Sequence, residues 1–399
     1  MTRFGHAVEK IDERIPGIDL PLMSVSQTRG VIRRSELTDA PQRAESLDSY
    51  KVCRANDIVF NKMSIRSGAM GVAAEDGLVT YHYEVMRPRE GTDPHFITYL
   101  MKSSWFTEEL IKRERGIGAG NQANVRTTEV PFSVLKTIDA YIPDHAEQRA
   151  IADYLNRETA RIDTLIDEQQ RLIELLRERK MAAMAKATAS GEPVVFRRII
   201  TRIRQGWSPN CEPWPADGVT EWGVLKVGCS NSGTFDATES KRLPDDMTPR
   251  PEFVVEPGEI VMSRANSKEL VGASSVVDRA YPRLMLSDLN YGLTVVNGVD
   301  PEFVSYALRS GHVKHQISLA SKGTSPSMQK ISQRDIRDLI LQLPSLDEQR
   351  RIVLHLDEQT AKTDALIAES ERFIELARER RSALITAAVT GQIDVREAA

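Results

Sequence analysis

Glu239 and Lys241 have the Glu-x-Lys spacing that in nucleases sets a metal-binding carboxylate beside a lysine, but no further acidic residue at a credible separation completes a metal site. His312 and His315 stand one helical turn apart, and a metal ion would need more ligands than the sequence offers around them, so they read as surface or packing histidines. GIGAG at 116–120 follows a helical stretch rather than a strand and lacks the G-x-G-x-x-G spacing of a dinucleotide loop, which leaves a flexible loop. Cys53, Cys211 and Cys229 are too dispersed for a metal knuckle and odd in number for disulfides, so reduced, mostly buried thiols are expected. No nucleotide-binding glycine loop, methyltransferase motif or serine elbow occurs. Trp105, Trp207, Trp214 and Trp222 suit core or domain-edge anchors better than base-stacking platforms. The residue chemistry thus points away from catalysis and from a cofactor or metal held by this chain, and toward binding.

Length and charge bound what is bound. With 399 residues, 41% hydrophobic and 28% charged, two to three domains with their own cores are expected. The first 25 residues carry charges throughout and no run approaches a membrane span, so a cytoplasmic protein without a membrane partner is expected. Residues 1–143 hold 19 Lys and Arg against 19 Asp and Glu, and residues 191–343 hold 18 against 18. The net charge of −4 comes from 144–190, with 8 against 9, and 344–399, with 8 against 11. A nucleic-acid ligand would therefore have to meet positive charge gathered on one face.

What must position any binding residues is a repeat. Residues 142–188 recur at 343–389 with a constant offset of 201, and 21 of the 47 paired positions are identical. No Pro or Gly interrupts 146–189, and apolar residues follow the three-and-four spacing of a buried helical stripe, including Ile151, Leu155, Ile162, Leu165, Ile166, Leu172, Ile173 and Leu176. The second copy supplies Ile352, Leu356, Leu366, Ile367, Phe373, Ile374, Leu376 and Leu384. Pro143 and Pro344 precede the expected N-caps Asp144 and Ser345, and Gly191 and Gly391 mark the ends. Such stripes need partners, which two matched helices supply to each other as an antiparallel coiled coil; their doubled width suggests further helices from another subunit.

The flanking segments have the pattern of mixed α/β domains. Strands are expected at 22–26, 57–61 and 78–83, and at 223–227, 259–263 and 293–296, with helices at 95–113 and 301–318. DIVFNKMSIRSGAMG at 57–71 corresponds to EIVMSRANSKELVG at 259–272, and the polar loops GIGAGNQANVR at 116–126 and SKGTSPSMQK at 321–330 occupy matching places. One scaffold carrying different loop chemistry is the pattern of two readers with different targets.

The proline before an E-Q-R-x-I start, the D-x-L-I middle, the I-E-L-x-R-E-R run and the terminal S-G or T-G resemble the conserved regions of the specificity subunit of type I restriction-modification systems. EWGVLKVG at 221–228 and ESKRLP at 239–244 resemble the target recognition domains of that family. The resemblance covers nearly the whole chain. It implies target recognition domains at 1–143 and 191–343, each α/β, joined by two long antiparallel helices at 144–190 and 344–399 that form a coiled coil. It further implies that each domain reads half of a bipartite, asymmetric site in double-stranded DNA while the helices set the spacer. The implied partners are methyltransferase subunits, which would bring S-adenosylmethionine, and a translocase-endonuclease subunit, which would bring Mg-ATP. One departure concerns the start: about 30 residues precede VLKVG in the second domain and about 20 precede LMSVS in the first, as if the chain entered its first domain late.

Base edges are read by Arg, Lys, Asn and Gln, while hydroxyls and cations fix phosphates. On that basis the expected DNA-contacting residues in the first domain are Arg29, Arg33, Arg34, Asn61, Lys62, Arg66, Asn121, Gln122, Asn124 and Arg126. In the second they are Asn231, Lys241, Arg242, Arg264, Asn266, Lys268, Lys322, Ser325, Gln329 and Lys330. Partner subunits are expected on Leu165, Ile166, Leu172, Ile173, Leu176, Leu366, Ile367, Phe373, Ile374 and Leu376. The competing reading is a coiled-coil scaffold presenting two ligand-binding domains to something other than DNA.

Overall fold

The computed structural model describes residues 1–39, 46–114, 130–325 and 328–395. It forms two compact units, Met1–Gln170 with Glu371–Ala399, and Arg171–Ser370. In the first, an antiparallel sheet is built from β1 (Val8–Ile11), β5 (Ile58–Asn61), β6 (Met70–Val72) and β8 (Tyr83–Pro88) in the order β1-β8-β5-β6. A hairpin of β2 (Met23–Ser26) and β3 (Gly30–Arg33) and a pair of β4 (Lys51–Cys53) and β7 (Gly77–Val79) complete its strands around this sheet. Helices α1 (Pro94–Lys102), α2 (Ser104–Glu114) and the long α3 (His145–Ala187) follow.

The second unit repeats the plan. Its sheet runs β9-β16-β12-β14, from β9 (Ile200–Gln205), β12 (Ile260–Ser263), β14 (Ser274–Val276) and β16 (Asn290–Val295). Beside it lie β10 (Gly223–Leu225), β11 (Ser240–Arg242) and β15 (Leu284–Met285), in the order β11-β10-β15. A third sheet joins β13 (Ala265–Asn266) to a hairpin of β17 (Lys322–Ser325) and β18 (Met328–Lys330). The longer helices are α4 (Pro301–Arg309), α5 (Gly311–Ala320) and α6 (Leu346–Val389).

Each long helix starts three residues inside its copy of the repeat and ends within one residue of the copy's end. Asp144 caps α3 by accepting from the Glu147 amide at 2.9 Å, and Ser345 receives the Glu348 amide more weakly at 3.4 Å. The expected helices at 95–113 and 301–318 are each broken, at Ser103 and Ser310, where the backbone turns extended. Both hydroxyls donate back to the helix, to the carbonyls of Leu100 and Ala307 at 2.6 and 2.7 Å, and so compete with its ladder. The expected strand at 78–83 is likewise two strand ends, Gly77–Val79 and Tyr83–Pro88, separated by a turn. The first domain's shorter approach to LMSVS does not lie at Met1. Thr2–Arg3 pairs with Asp139–Ala140 and a 3-10 turn at Phe4–His6 follows, just as Glu192–Val195 pairs with Ile340–Leu343 ahead of a turn at Phe196–Arg198. Most of the difference sits in the connection between β1 and β2, residues 12–22, against 206–222 between β9 and β10.

Each core takes pieces of both long helices. In unit 1, Ile151, Ala152 and Leu155 of α3 pack with Ile385, Ala388 and Val389 of α6 beneath Phe60, Phe96 and Phe106. In unit 2, Ile352, Val353 and Leu356 pack with Met184 beneath Met262, Phe303 and Leu308. Within each unit the two helices are antiparallel. In unit 1 Asp163 lies opposite Arg381 while 151–155 lie opposite 385–389; in unit 2 Lys180 lies opposite Asp364 while Met184 lies by 352–356.

The glutamine of the repeated E-Q-R fixes each domain to its helix. The Gln148 side chain accepts from the Asp93 amide at 2.9 Å and donates to the carbonyls of Pro143 and Gly91; Gln349 accepts from Asp300 at 2.8 Å and donates to Pro344. Asp93 and Asp300 in turn cap α1 and α4. Both glutamines are buried, so removing either leaves a backbone amide without its partner. Gln148→Ala or Gln349→Ala should cost about 1–3 kcal/mol in urea unfolding, with the increase in hydrogen exchange confined to the altered unit.

Candidate nucleic-acid interface

In unit 2 the strand pairing Ala265↔Lys330 and Asn266↔Gln329 sets the 264–268 loop against the β17–β18 hairpin. Arg264, Asn266, Lys322, Ser325, Gln329 and Lys330 are thereby gathered. Arg264, Lys322 and Lys330 line an open cleft of about 750 Å³, which Arg334, Tyr291 and two aspartates share. Arg264 is anchored through Nε to the Tyr291 hydroxyl at 3.2 Å and through Nη1 to the Asp288 carbonyl at 3.1 Å. Lys322 and Lys330 are exposed and, among the described residues, form no ion pair. Asn266 donates to Asn231 at 3.1 Å, which ties that residue to the same loop, and Gln329 donates to the Ser325 carbonyl at 2.7 Å. Lys268 is exposed on the following turn. A basic face therefore exists in a segment whose net charge is zero.

Lys241 and Arg242 lie on β11, in a different sheet. Arg242 is enclosed by Glu212, Glu221 and Asp245 at 2.6, 3.2 and 2.7 Å, and Glu212 and Asp245 raise its pKa further. Its charge is already matched inside the protein.

Unit 1 arranges its counterpart differently. Gln27 of the β2–β3 turn donates to Ser67 at 2.9 Å, which joins the turn bearing Arg29 to the 61–68 loop bearing Asn61, Lys62 and Arg66. The approach is close: a Cβ on Gly71 would lie 2.8 Å from the Gly30 Cα, so glycine is required there. Arg29 pairs with Glu36 at 3.0 Å, and Arg33 is bidentate on Glu75 at 2.5 Å, which raises the pKa of Arg33 and lowers that of Glu75. Arg34 is half-buried at the end of the hairpin, and Asn61 accepts from the Met63 amide at 3.0 Å within its own turn. Lys62 lies 4.0 Å from Glu84, a buried carboxylate that also takes Lys10 and Lys51. Asn121, Gln122, Asn124 and Arg126 lie outside the described residues. Val130 donates to the Lys62 carbonyl at 3.4 Å, and its counterpart Ile331 donates to the Arg264 carbonyl at 3.0 Å, so the two loops occupy equivalent places in their units.

The chemistry for other uses is thin. Burial raises the Cys53 thiol to about 11 and the Cys229 thiol to about 12, which removes their nucleophilic form. His312 and His315 are exposed, and among the described residues no group of three His, Cys, Asp or Glu is placed to hold a metal ion. Trp105 packs against the unit 1 core, Trp207 lies under Arg250 at 4.4 Å, Trp222 flanks a small cluster with Met285, and Trp214 is exposed. Among the described residues, no helix is long and apolar enough to cross a membrane.

Sequence reading missed Tyr291 and Arg334, which border the unit 2 cleft, and the two glutamines. The glutamines carried a signal, since both are identical in the repeat.

Two pseudo-equivalent α/β units, each bearing polar loops and each completed by both long helices, make a protein built twice on one plan. No protein-family model matches the chain. It is 30% identical over 162 residues to the type I restriction enzyme EcoEI specificity subunit of Escherichia coli, which is 40% of this chain and 27% of that protein. It is 20% identical over 326 residues to the EcoKI specificity subunit of E. coli K12, covering 77% of this chain and 68% of that one. The chain thus spans about a quarter of the first relative's length and about two thirds of the second's. A chain solved in a study of complex assembly and conformational transition of the type I R-M system superimposes with a TM-score of 0.74 at 17% identity, over 98% of this chain and 97% of that one. The HsdS subunit from Thermoanaerobacter tengcongensis gives 0.52 at 18%, over 98% and 96%. The chain is therefore related in sequence to type I restriction-modification specificity subunits and has the HsdS fold.

Proposed function

We propose that this chain is the DNA-recognition subunit of a type I restriction-modification complex and carries no catalytic activity of its own. Unit 1 would read one half of a bipartite site in double-stranded DNA and unit 2 the other, with the paired helices setting the spacer between them. The observation that carries this reading is the unit 2 cleft, where strand pairing gathers Arg264, Lys322 and Lys330 on a segment of zero net charge. The kinship with specificity subunits supports it, and nothing in the comparisons favours a scaffold for other ligands. Methyltransferase subunits, with S-adenosylmethionine, and a translocase-endonuclease subunit, with Mg-ATP, are the proposed partners, in the cytoplasm. Leu165, Leu172, Leu366, Phe373 and Leu376 remain exposed on the long helices, whereas Ile166, Ile173 and Ile374 are buried and Leu176 and Ile367 half-buried. The exposed members are the proposed docking positions for the methyltransferase subunits, since apolar surface of this kind gains by being covered.

Lys330→Ala should weaken duplex binding about equally across sequences and flatten the dependence of log K on log salt by about one, because an exposed lysine releases one counterion's worth of phosphate contact. Arg264→Ala should cost about 1–3 kcal/mol and relax preference at one position of the site if its free guanidinium edge reads a base. Fluorescence anisotropy of the assembled methyltransferase complex over a salt series measures both. Binding that ignores salt and both substitutions would refute the DNA reading.

A further inference from the structure

The pseudo-symmetry that matches the two units also shows where their chemistry diverges. Tyr99 of α1 donates to Asn156 of α3 at 2.8 Å, and Tyr306 of α4 donates to Asp357 of α6 at 2.6 Å. Arg381 pairs with Asp163 in unit 1, and Lys180 with Asp364 in unit 2, at positions related by the same 201-residue offset. Lys102 and Arg309 end the corresponding helices α1 and α4. The balance of charge around those two cations differs. In unit 2 the equivalent positions bring two cations, Arg309 and Lys180, and three carboxylates, Glu302, Asp357 and Asp364; burial and Asp357 push Glu302 up in pKa. In unit 1 they bring two cations, Lys102 and Arg381, and one carboxylate, Asp163, because His95 and Asn156 stand where unit 2 has Glu302 and Asp357.

The excess positive charge faces open space. Lys102 and Arg381 line one open cavity of about 330 Å³, together with Asp163 and the Arg29–Gly30 turn. Lys102 is half-buried and, among the described residues, makes no hydrogen bond or ion pair; burial and the nearby Arg381 lower its pKa, and Asp163 opposes them. Arg381 donates from Nη2 to Asp163 at 3.2 Å, but its buried Nε, 2.9 Å from the other carboxylate oxygen, is not aligned for a hydrogen bond. Arg309 has no such freedom. Its Nε donates to the Ser305 carbonyl at 3.2 Å, its guanidinium stacks on Tyr306 at 4.6 Å, and it lies against Gly233, where any Cβ would strike it. Two neighbouring cations that share one carboxylate, with one of them half-buried, gain when an anion completes the set.

We propose that the unit 1 cavity is a binding site for a phosphate-class oxyanion, held by Lys102 and the outer Nη1 of Arg381, and that unit 2 has no counterpart because its carboxylates already balance its cations. Guanidinium and ammonium donors converging on a tetrahedral oxyanion give the short, charge-assisted bonds this ligand class uses. The oxyanion is either a free phosphate or a phosphate of the DNA backbone, and the two sources separate experimentally.

The test titrates inorganic phosphate into the full chain by calorimetry, in chloride buffer of matched ionic strength. Saturable binding of one equivalent is expected, weakened about tenfold or more in Lys102→Met. Asp163→Asn, which removes the one carboxylate at the site, should tighten binding, an opposite sign that a damaged fold would not produce. Lys180→Met, the unit 2 counterpart of changing Arg381, should leave the isotherm unchanged. In parallel, the salt dependence of duplex DNA binding is compared for the parent and Lys102→Met. A slope reduced by about one assigns the site to a backbone phosphate, and an unchanged slope with lost phosphate binding assigns it to a free anion. The phosphate isotherm does not depend on the DNA reading, so failure of that reading leaves it standing. Lys102→Met altering neither the isotherm nor the slope would overturn the proposal.

Discussion

Replacing residues 191–343 with the corresponding segment of a relative should change one half of the methylated motif and leave the other half as it was. The reason lies in how the segment enters and leaves its unit. Glu192–Val195 pairs antiparallel with Ile340–Leu343, so both cut points fall at one place, and a Cβ on Gly191 would run into Leu343 and Pro344. Gly191 has φ of +107°, a conformation that leaves α3 and that other residues resist. An exchanged segment that keeps this glycine and the strand pair meets the helices as the original does. The cores are also disjoint: Phe60, Phe96 and Phe106 belong to unit 1, Met262, Phe303 and Leu308 to unit 2. What the incoming domain must match is short, namely Met184, Ile352, Val353 and Leu356, the helical residues that complete its core. A domain with a poor match at these four should lose stability while keeping the new half-site, since none of the four lies in the loops at 264–268 or 321–330. Mapping N6-methyladenine in a strain carrying the exchange decides it. Alteration of both half-sites would contradict independent reading by the two units.

The repeat was legible because helix formation is written locally. Periodicity, the proline before each start and the capping Asp144 put the ends of α3 within two residues of where they fall. The serine breaks were not legible, since Ser103 and Ser310 look like ordinary helical positions until their hydroxyls compete for the backbone. The candidate reading residues divide along the same line. Arg33 meets Glu75 and Arg242 meets Glu212, partners 42 and 30 residues away that only folding brings within reach. The hairpin that gathers Lys322, Gln329 and Lys330 beside Arg264 is equally non-local, yet those residues were legible as a set because the loop at 321–330 repeats the place of the loop at 116–126. The repeat also held information that residue typing passed over. Gln148 and Gln349 are identical in register, and their role as the tie between helix and domain follows only from the hydrogen bonds they make.

Among single changes, Glu259→Gln should be the most damaging to unit 2, at about 3–5 kcal/mol. Glu259 is fully buried, and Arg204 donates to both of its oxygens, at 2.8 and 2.5 Å. Arg204 is itself only 12% exposed, so the substitution strands its charge where water cannot replace the lost carboxylate. The matching acid in unit 1 is paired less deeply, with an arginine from β8 rather than from the strand that corresponds to β9. Asp57 is just as buried and takes Arg87 at 2.9 and 3.0 Å, but the Arg87 side chain is 42% exposed. In Asp57→Asn that guanidinium turns to water, and the cost should fall to about 1–2 kcal/mol, mostly from weakened hydrogen bonding at the Arg54 amide that Asp57 also accepts. The two pairs thus compare solvation at a similar two-bond contact between guanidinium and carboxylate, with Arg204 held further by the Glu252 and Val254 carbonyls. Replacing both unit 2 partners, as Arg204→Met with Glu259→Leu, should recover much of the loss, because an apolar pair of similar volume leaves no unmatched charge. Native-state hydrogen exchange measures these losses, at the β9, β12 and β16 amides for unit 2 and at the β1, β5 and β8 amides for unit 1. Equal costs for Glu259→Gln and Asp57→Asn would show that desolvation of the arginine is not what makes the unit 2 pair sensitive.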